Sequence, residues 1–283
     1  MILYGPWLFN VSAKDNIEIN MDHMLLLSAA GFLIGVLIIS LGGGGGGIYV
    51  GILTAFFQVP PAVAASTSLA TIIPTTVIGS ISHYRHGNIN IYLGLIMMAF
   101  AVVGAIVGSY CSDLLPQKYY LKITGTLLML LGVQMIWAYF KNKKRKASHE
   151  YLKKISRKRL LSVRSLVIAA VYGSLGGLMS GLVGVSGSLP IVSGLAVLGC
   201  SALQIVGTSV FVLVGISAAG FAMHLGLGNV DWRLVIYLSA GTILGAFAGP
   251  AILSRIDRKA VEKVLPPVLI VLTFAMGLIV LFR

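Results

Sequence analysis

The chain has 283 residues, 57% of them hydrophobic and only 10% charged, with a mean hydropathy of +0.95 and a formal net charge of +13. A soluble domain carries about 25% charged residues, so this composition excludes a water-soluble globule and points to an all-α polytopic membrane protein. The positive charge does not indicate nucleic acid, because eleven of the 21 Lys and Arg fall in the stretch "KNKKRKASHEYLKKISRKRLLSVR" at 141–164, which reads as a cytoplasmic loop obeying the inner-side excess of basic residues; contact with lipid headgroups or a regulatory partner is the alternative.

The first twenty residues, "MILYGPWLFNVSAKDNIEIN", lack a basic start followed by an apolar core and a small-residue cleavage site. No cleaved signal peptide is expected, and the first helix targets the chain. Uncharged stretches then run over 23–84, 86–112, 123–140, 165–230, 234–254 and 264–282. The first and fourth are long enough to hold more than one segment each, so the order long, medium, short occurs twice. Cys111 and Cys200 fall in or beside these stretches, and neither a disulfide nor a metal site is expected.

Within the first stretch lies "SLGGGGGGIYVG", with six consecutive glycines at 42–47. Each glycine disfavours helix by about 1 kcal/mol, so the run opposes helix by roughly 6 kcal/mol. Residues 24–57 would make a helix of roughly 50 Å against a hydrocarbon core of about 30 Å. The piece after the glycines makes only about 15 Å. A re-entrant hairpin resolves the mismatch: a helix enters, breaks at the glycines, and a half-helix returns to the same face. "QVPP" at 58–61 then turns the chain into a full span.

The fourth stretch breaks at the corresponding place with "GVSGSLP" at 184–190. Its serines suit N-capping and Pro190 suits a first helical turn. The correspondence extends along the chain. "STS" at 66–68 meets "GTS" at 207–209, with 208 − 67 = 141. "HYRHGNIN" meets "HLGLGNVD", with 224 − 83 = 141, and "GAIVG" meets "GAFAG", with 245 − 104 = 141. Two homologous repeats are therefore expected, each a broken re-entrant helix plus three transmembrane helices. Residues 1–142 form the first, 143–164 a basic cytoplasmic loop and 165–283 the second. Three crossings per copy make the copies inverted. Charge counting separates the topologies weakly, giving 16 basic residues inside and five outside if inverted, against 15 and six if parallel.

A helix broken within the bilayer leaves backbone N–H groups unpaired, which is tolerated only where they are buried in protein or line a watery cavity. The start of a returning half-helix carries partial positive charge and free donors, which suits an anion. Tight helix packing is the competing reading of the glycines, and it accounts better for the small-xxx-small pairs Gly104/Gly108 and Gly245/Gly249. The expected anion-binding residues are Gly43, Gly44, Gly45, Gly46, Thr67 and Ser68 in the first copy, and Gly184, Ser186, Gly187, Ser188, Thr208 and Ser209 in the second. In each copy the Thr–Ser pair falls at about the depth of the break. His83 and His224 lie about 24 Å farther along their helices. They read as interfacial structural histidines or as candidates for a gate or proton relay. All eight acidic residues lie outside the central segments, which disfavours a cationic cargo.

The glycine-rich break, the "STS"/"GTS" pair, "H…GN(I/V)(N/D)" and "GA..G", repeated in order around a basic central loop, resemble the sulfite exporter TauE/SafE family of membrane transport proteins. The resemblance implies export of sulfite, sulfonates or related sulfur-containing anions across the cell membrane, with an ion gradient, such as one of protons, as the coupling force. It places the family's core at the breaks around Gly43–Gly46 and Gly184–Gly187 and at Thr67/Ser68 and Thr208/Ser209. The residues alone reach a secondary transporter for a small anion. They leave open an anion channel of the same architecture, an intramembrane enzyme built on the histidines, and a structural scaffold. No cofactor, metal or nucleic acid partner is expected.

Overall fold

A computed structural model describes residues 21–41, 45–147, 163–254 and 258–282. Every regular element among them is a helix. The first half contains α1 (Met21–Leu41), α2 (Gly46–Ala55), α3 (Pro61–Arg85), α4 (Ile91–Leu114) and α5 (Gln117–Ala147). The second contains α6 (Val163–Val183), α7 (Ser188–Val197), α8 (Ala202–Gly226), α9 (Trp232–Ser254) and α10 (Arg258–Leu281). Four of these, α3, α4, α6 and α8 from Leu203, are long and apolar enough to cross a membrane. The protein is a multi-pass membrane protein.

Local chemistry sets the helix ends. α3 starts on Pro60 and Pro61, where a fixed φ and a missing N–H cost nothing. Asn90 caps α4 by accepting the Leu93 N–H at 3.2 Å, and Ser201 with Gln204 forms a capping box on α8. The two "GN" turns place Gly87 and Gly228 at φ +66° and +75°, a conformation open to glycine. The starts and ends of α3 and α8 are offset by the spacing seen in the motifs, 202 − 61 = 141 and 226 − 85 = 141, and α4 and α9 start at 232 − 91 = 141.

α5 continues through Ala147, so the first basic residues of the 141–164 stretch extend a helix. One expectation is corrected. Neither Ser186 nor Ser188 caps α7. Its cap is Gly187 at φ +54°, without a side-chain bond, because a left-handed residue is needed to reverse the chain there and glycine adopts it without strain.

Glycine contacts fix the helix directions. A Cβ at Gly173, Gly177 and Gly181 would meet the carbonyl oxygens of Met97, Ala101 and Ala105 in turn, so α6 runs parallel to α4. Gly31 and Gly35 of α1 meet Leu238 and Thr242, so α1 runs parallel to α9. Leu69 lies on Gly220 and Gly79 on Val210, which makes α3 and α8 antiparallel. Gly125 meets Leu281 and Gly132 meets Phe274, so α5 and α10 are antiparallel too. α1 therefore starts on the face where α3 starts, and α2 returns to that face. α6 enters from the opposite face, shared with the end of α5, and α7 returns there. The two helical hairpins, α1–α2 and α6–α7, thus run in opposite directions and meet in the interior.

Candidate anion site where the two breaks meet

The breaks come into contact. A Cβ on Gly46, at the start of α2, would lie 2.6 Å from the Ser186 backbone nitrogen and 2.7 Å from the Gly184 carbonyl oxygen. Ser68 ties the two together. Its Oγ is within reach of the Gly184 oxygen at 3.0 Å and the Gly46 oxygen at 3.2 Å, so one buried hydroxyl donates between both breaks. Gly184 holds φ +74° with its Cα pressed against Ala65, one turn before Ser68. No side chain caps α2 or α7: their caps are Gly45 and Gly187. The first turns of both half-helices therefore keep donors and partial positive charge at the centre of the molecule.

Beside this contact, Thr67 is fully buried and its Oγ1 has no hydrogen-bond partner. A hydroxyl seam runs along the same side. The Tyr49 hydroxyl donates to Thr242 Oγ1 at 3.0 Å, and Ser239 donates to Thr71 Oγ1 at 3.4 Å. The residues 141 positions away, Pro190, Ala101, Met98 and Val212, carry no hydroxyl. Gly43 and Gly44 lie outside the described residues.

The description "Sulfite exporter TauE/SafE" matches residues 27–278. The chain belongs to the sulfite exporter TauE/SafE family. Three relatives from Bacillus subtilis (strain 168) resemble it. "Probable membrane transporter protein YdhB" is 30% identical over 227 residues, covering 80% of this chain and 88% of that protein. "Probable membrane transporter protein YjnA" is 28% identical, covering 75% and 83%. "Probable membrane transporter protein YunE" is 25% identical, covering 79% and 84%. No solved structure matches the chain.

The remaining residues singled out in this TauE/SafE protein divide into those at the contact and those away from it. Ser186 Oγ lies 3.4 Å from Ser188 Oγ at the start of α7. Thr208 accepts the Asn90 N–H at 2.9 Å, and Ser209 donates to Val206 O at 2.9 Å. These bonds engage the second Thr–Ser pair with the α3–α4 turn and its own helix. Leu69 packs on Gly220, twelve residues beyond Thr208, so the two pairs stand about 18 Å apart along α8 and do not form one compact cluster.

The histidines also part company. His83 is half-buried near the end of α3. His224 is fully buried, and its Nε2 lies 3.0 Å from the Gly181 carbonyl oxygen, three residues before Gly184. A carbonyl only accepts, so Nε2 carries the proton, and the imidazole pins the end of α8 to the approach to the second break. Within one half it is remote from the Thr–Ser pair. The antiparallel packing of α3 on α8 brings it back to the level of Thr67. Among the described residues no group of three His, Cys, Asp or Glu is placed to hold a metal ion.

Ser68→Ala is expected to destabilise the fold by about 1–3 kcal/mol, because two buried carbonyl oxygens lose their shared donor. Thermal unfolding in detergent measures this.

Proposed function

We propose that this protein is a secondary transporter that exports sulfite, a sulfonate or a related small sulfur-containing anion across the cell membrane. The anion is held by the starts of the half-helices near the midplane, and access alternates as one half rocks against the other. The observation that carries the reading is the contact of the two breaks, with uncapped half-helix starts and the unpaired Thr67 hydroxyl beside it. The absence of Lys or Arg from the central segments leaves dipoles and hydroxyls to bind the anion, weakly enough to release it. The family description names sulfite export, and the relatives' names name membrane transport.

An inverted repeat is the architecture behind the rocking. It is supported by the 141-residue offset of helix ends, by α1 on α9 mirroring α6 on α4, and by the antiparallel pairs α3/α8 and α5/α10. Gly104, Gly108 and Gly245 each press a backbone carbonyl of the opposite half, in the close-packing role that small-xxx-small spacing suits. The inner-side excess of basic residues puts the 141–164 stretch in the cytoplasm and the start of α1 outside.

The test is flux of radiolabelled sulfite, sulfate and taurine-derived sulfonates in proteoliposomes, with and without a pH gradient. Saturable sulfite or sulfonate flux that follows the imposed gradient sustains the reading. Non-saturating flux driven only by the anion's own gradient identifies a channel, and no flux of any of these anions refutes anion transport. Thr67→Val keeps the shape and removes the free hydroxyl. It is expected to raise the KM for the transported anion about tenfold, the effect of one lost hydrogen bond to a charged group.

A further inference from the structure

We infer that Ser180 and Ser217 are further ligands of the anion, supplied by the second half of the chain and without an equivalent arrangement in the first. Both side chains are fully buried, and neither hydroxyl has a hydrogen-bond partner. A serine within a helix can always turn its hydroxyl back to a carbonyl one turn earlier. Thr54, Thr71, Thr76, Thr124 and Thr242 do so here. Ser180 and Ser217 do not, although a buried unpaired hydroxyl is unfavourable.

Both positions lie toward α7. The Ser180 carbonyl accepts the Gly184 N–H at 2.7 Å, so Ser180 stands on the last turn before the second break. Its neighbour one turn earlier on the same stripe, Gly176, faces the Gly187 oxygen and Ile191 at the start of α7. A side chain four residues on shares that direction, so Ser180 is aimed at the start of α7. Ser217 lies on α8 between two fixed contacts. Leu213, one turn earlier, belongs to the same buried cluster as Ile191 and Leu195 of α7. Gly220, on the next turn, lies on Leu69, the neighbour of Ser68. The stripe through Ser217 therefore faces the gap between α7 and the turn of α3 that bridges the breaks. At the first-half positions 141 residues earlier stand Ile39, which has no hydroxyl, and Thr76, whose hydroxyl is committed to Ile72 and Ile73 carbonyls.

Two hydroxyls from α6 and α8, turned away from their own backbones beside an uncapped half-helix start, form a donor set for an oxyanion. Such a ligand offers several acceptor oxygens in different directions, which suits donors arriving from separate helices. The inference rests on the anion-transport reading, and the experiment separates the two.

Ser180→Ala, Ser217→Ala and the double variant are purified and reconstituted with the wild type. Ser112→Ala, which removes a hydroxyl already bonded to the Ser109 carbonyl, is the control. Thermal unfolding is measured with and without sulfite, and the KM for sulfite flux is measured in proteoliposomes. The expected result is an unliganded Tm equal to or above wild type for both variants, because each loses an unpaired buried group. The sulfite-induced rise in Tm shrinks, and KM increases about tenfold for each hydroxyl removed. The control keeps its KM. Should an alanine variant fail to fold, cysteine at the same position, similar in size and weak as a donor, gives the same comparison. A wild type that neither transports sulfite nor gains Tm from it overturns the anion reading itself. A wild type that responds, with variants that match it in KM and Tm shift, overturns only this assignment and leaves the two hydroxyls to a buried water.

Discussion

Gly184→Ala is expected to abolish anion flux and to lower the yield of folded protein. Two effects combine. Gly184 holds φ +74°, which costs an L-residue roughly 1–2 kcal/mol. An added Cβ would also lie 2.5 Å from Ala65 Cα and 2.8 Å from Ala65 O. These are backbone atoms of α3, so the helix must move, and Ser68 one turn farther on loses its hold on the two breaks. Gly87→Ala isolates the first effect, since Gly87 holds φ +66° with nothing within 4 Å of an added Cβ. It is expected to lower stability by about 1–2 kcal/mol and to keep flux. Side-by-side thermal unfolding and proteoliposome flux decide the matter. If Gly184→Ala transports as well as Gly87→Ala, the breaks do not form a tight joint.

Gly177→Ala is expected to have the largest effect on assembly. Its Cβ would lie 1.8 Å from the Ala101 carbonyl oxygen, and a Cβ on Gly181, on the next turn, would lie 2.0 Å from Ala105 O. Lipid is as apolar as a leucine side chain, so association of α6 with α4 depends on close backbone packing. Separating them costs about 1–3 kcal/mol for one inserted methyl, and Gly177→Leu is expected to prevent folding. The Gly181 carbonyl also accepts from Ser109 at 3.3 Å and lies 3.0 Å from His224 Nε2. Displacing α6 therefore loosens the approach to the second break as well. Thermal unfolding in detergent and the fraction of monodisperse protein measure this. A Gly177→Ala protein as stable as wild type contradicts the packing described here.

Much of the helix plan was legible without coordinates. The glycine run, "QVPP" and the "GN" turns mark real helix ends, because helix breaking acts through the backbone of the few residues involved. The capping role given to Ser186 and Ser188 failed for a related reason: the turn there needs a left-handed residue, and Gly187 supplies it. The site was harder to read. Both Thr–Ser pairs looked equivalent, yet Thr67 and Ser68 stand at the contact of the breaks while Thr208 and Ser209 bond elsewhere. Ser180 and Ser217 carried no signal in the chain, since a serine in an apolar helix looks the same whether or not its hydroxyl finds a carbonyl.

The sequence by itself determined that this is a membrane protein, where its helices break, and the 141-residue spacing that recurs along it, because hydropathy, glycine strain and proline geometry are properties of neighbouring residues. Only the tertiary structure decided that α3 runs antiparallel to α8, that Ser68 joins Gly46 to Gly184, and that His224 is buried against Gly181. Those contacts join residues more than twenty positions apart, and which of them form depends on which backbones can approach closely enough for one hydroxyl or one ring nitrogen to reach across.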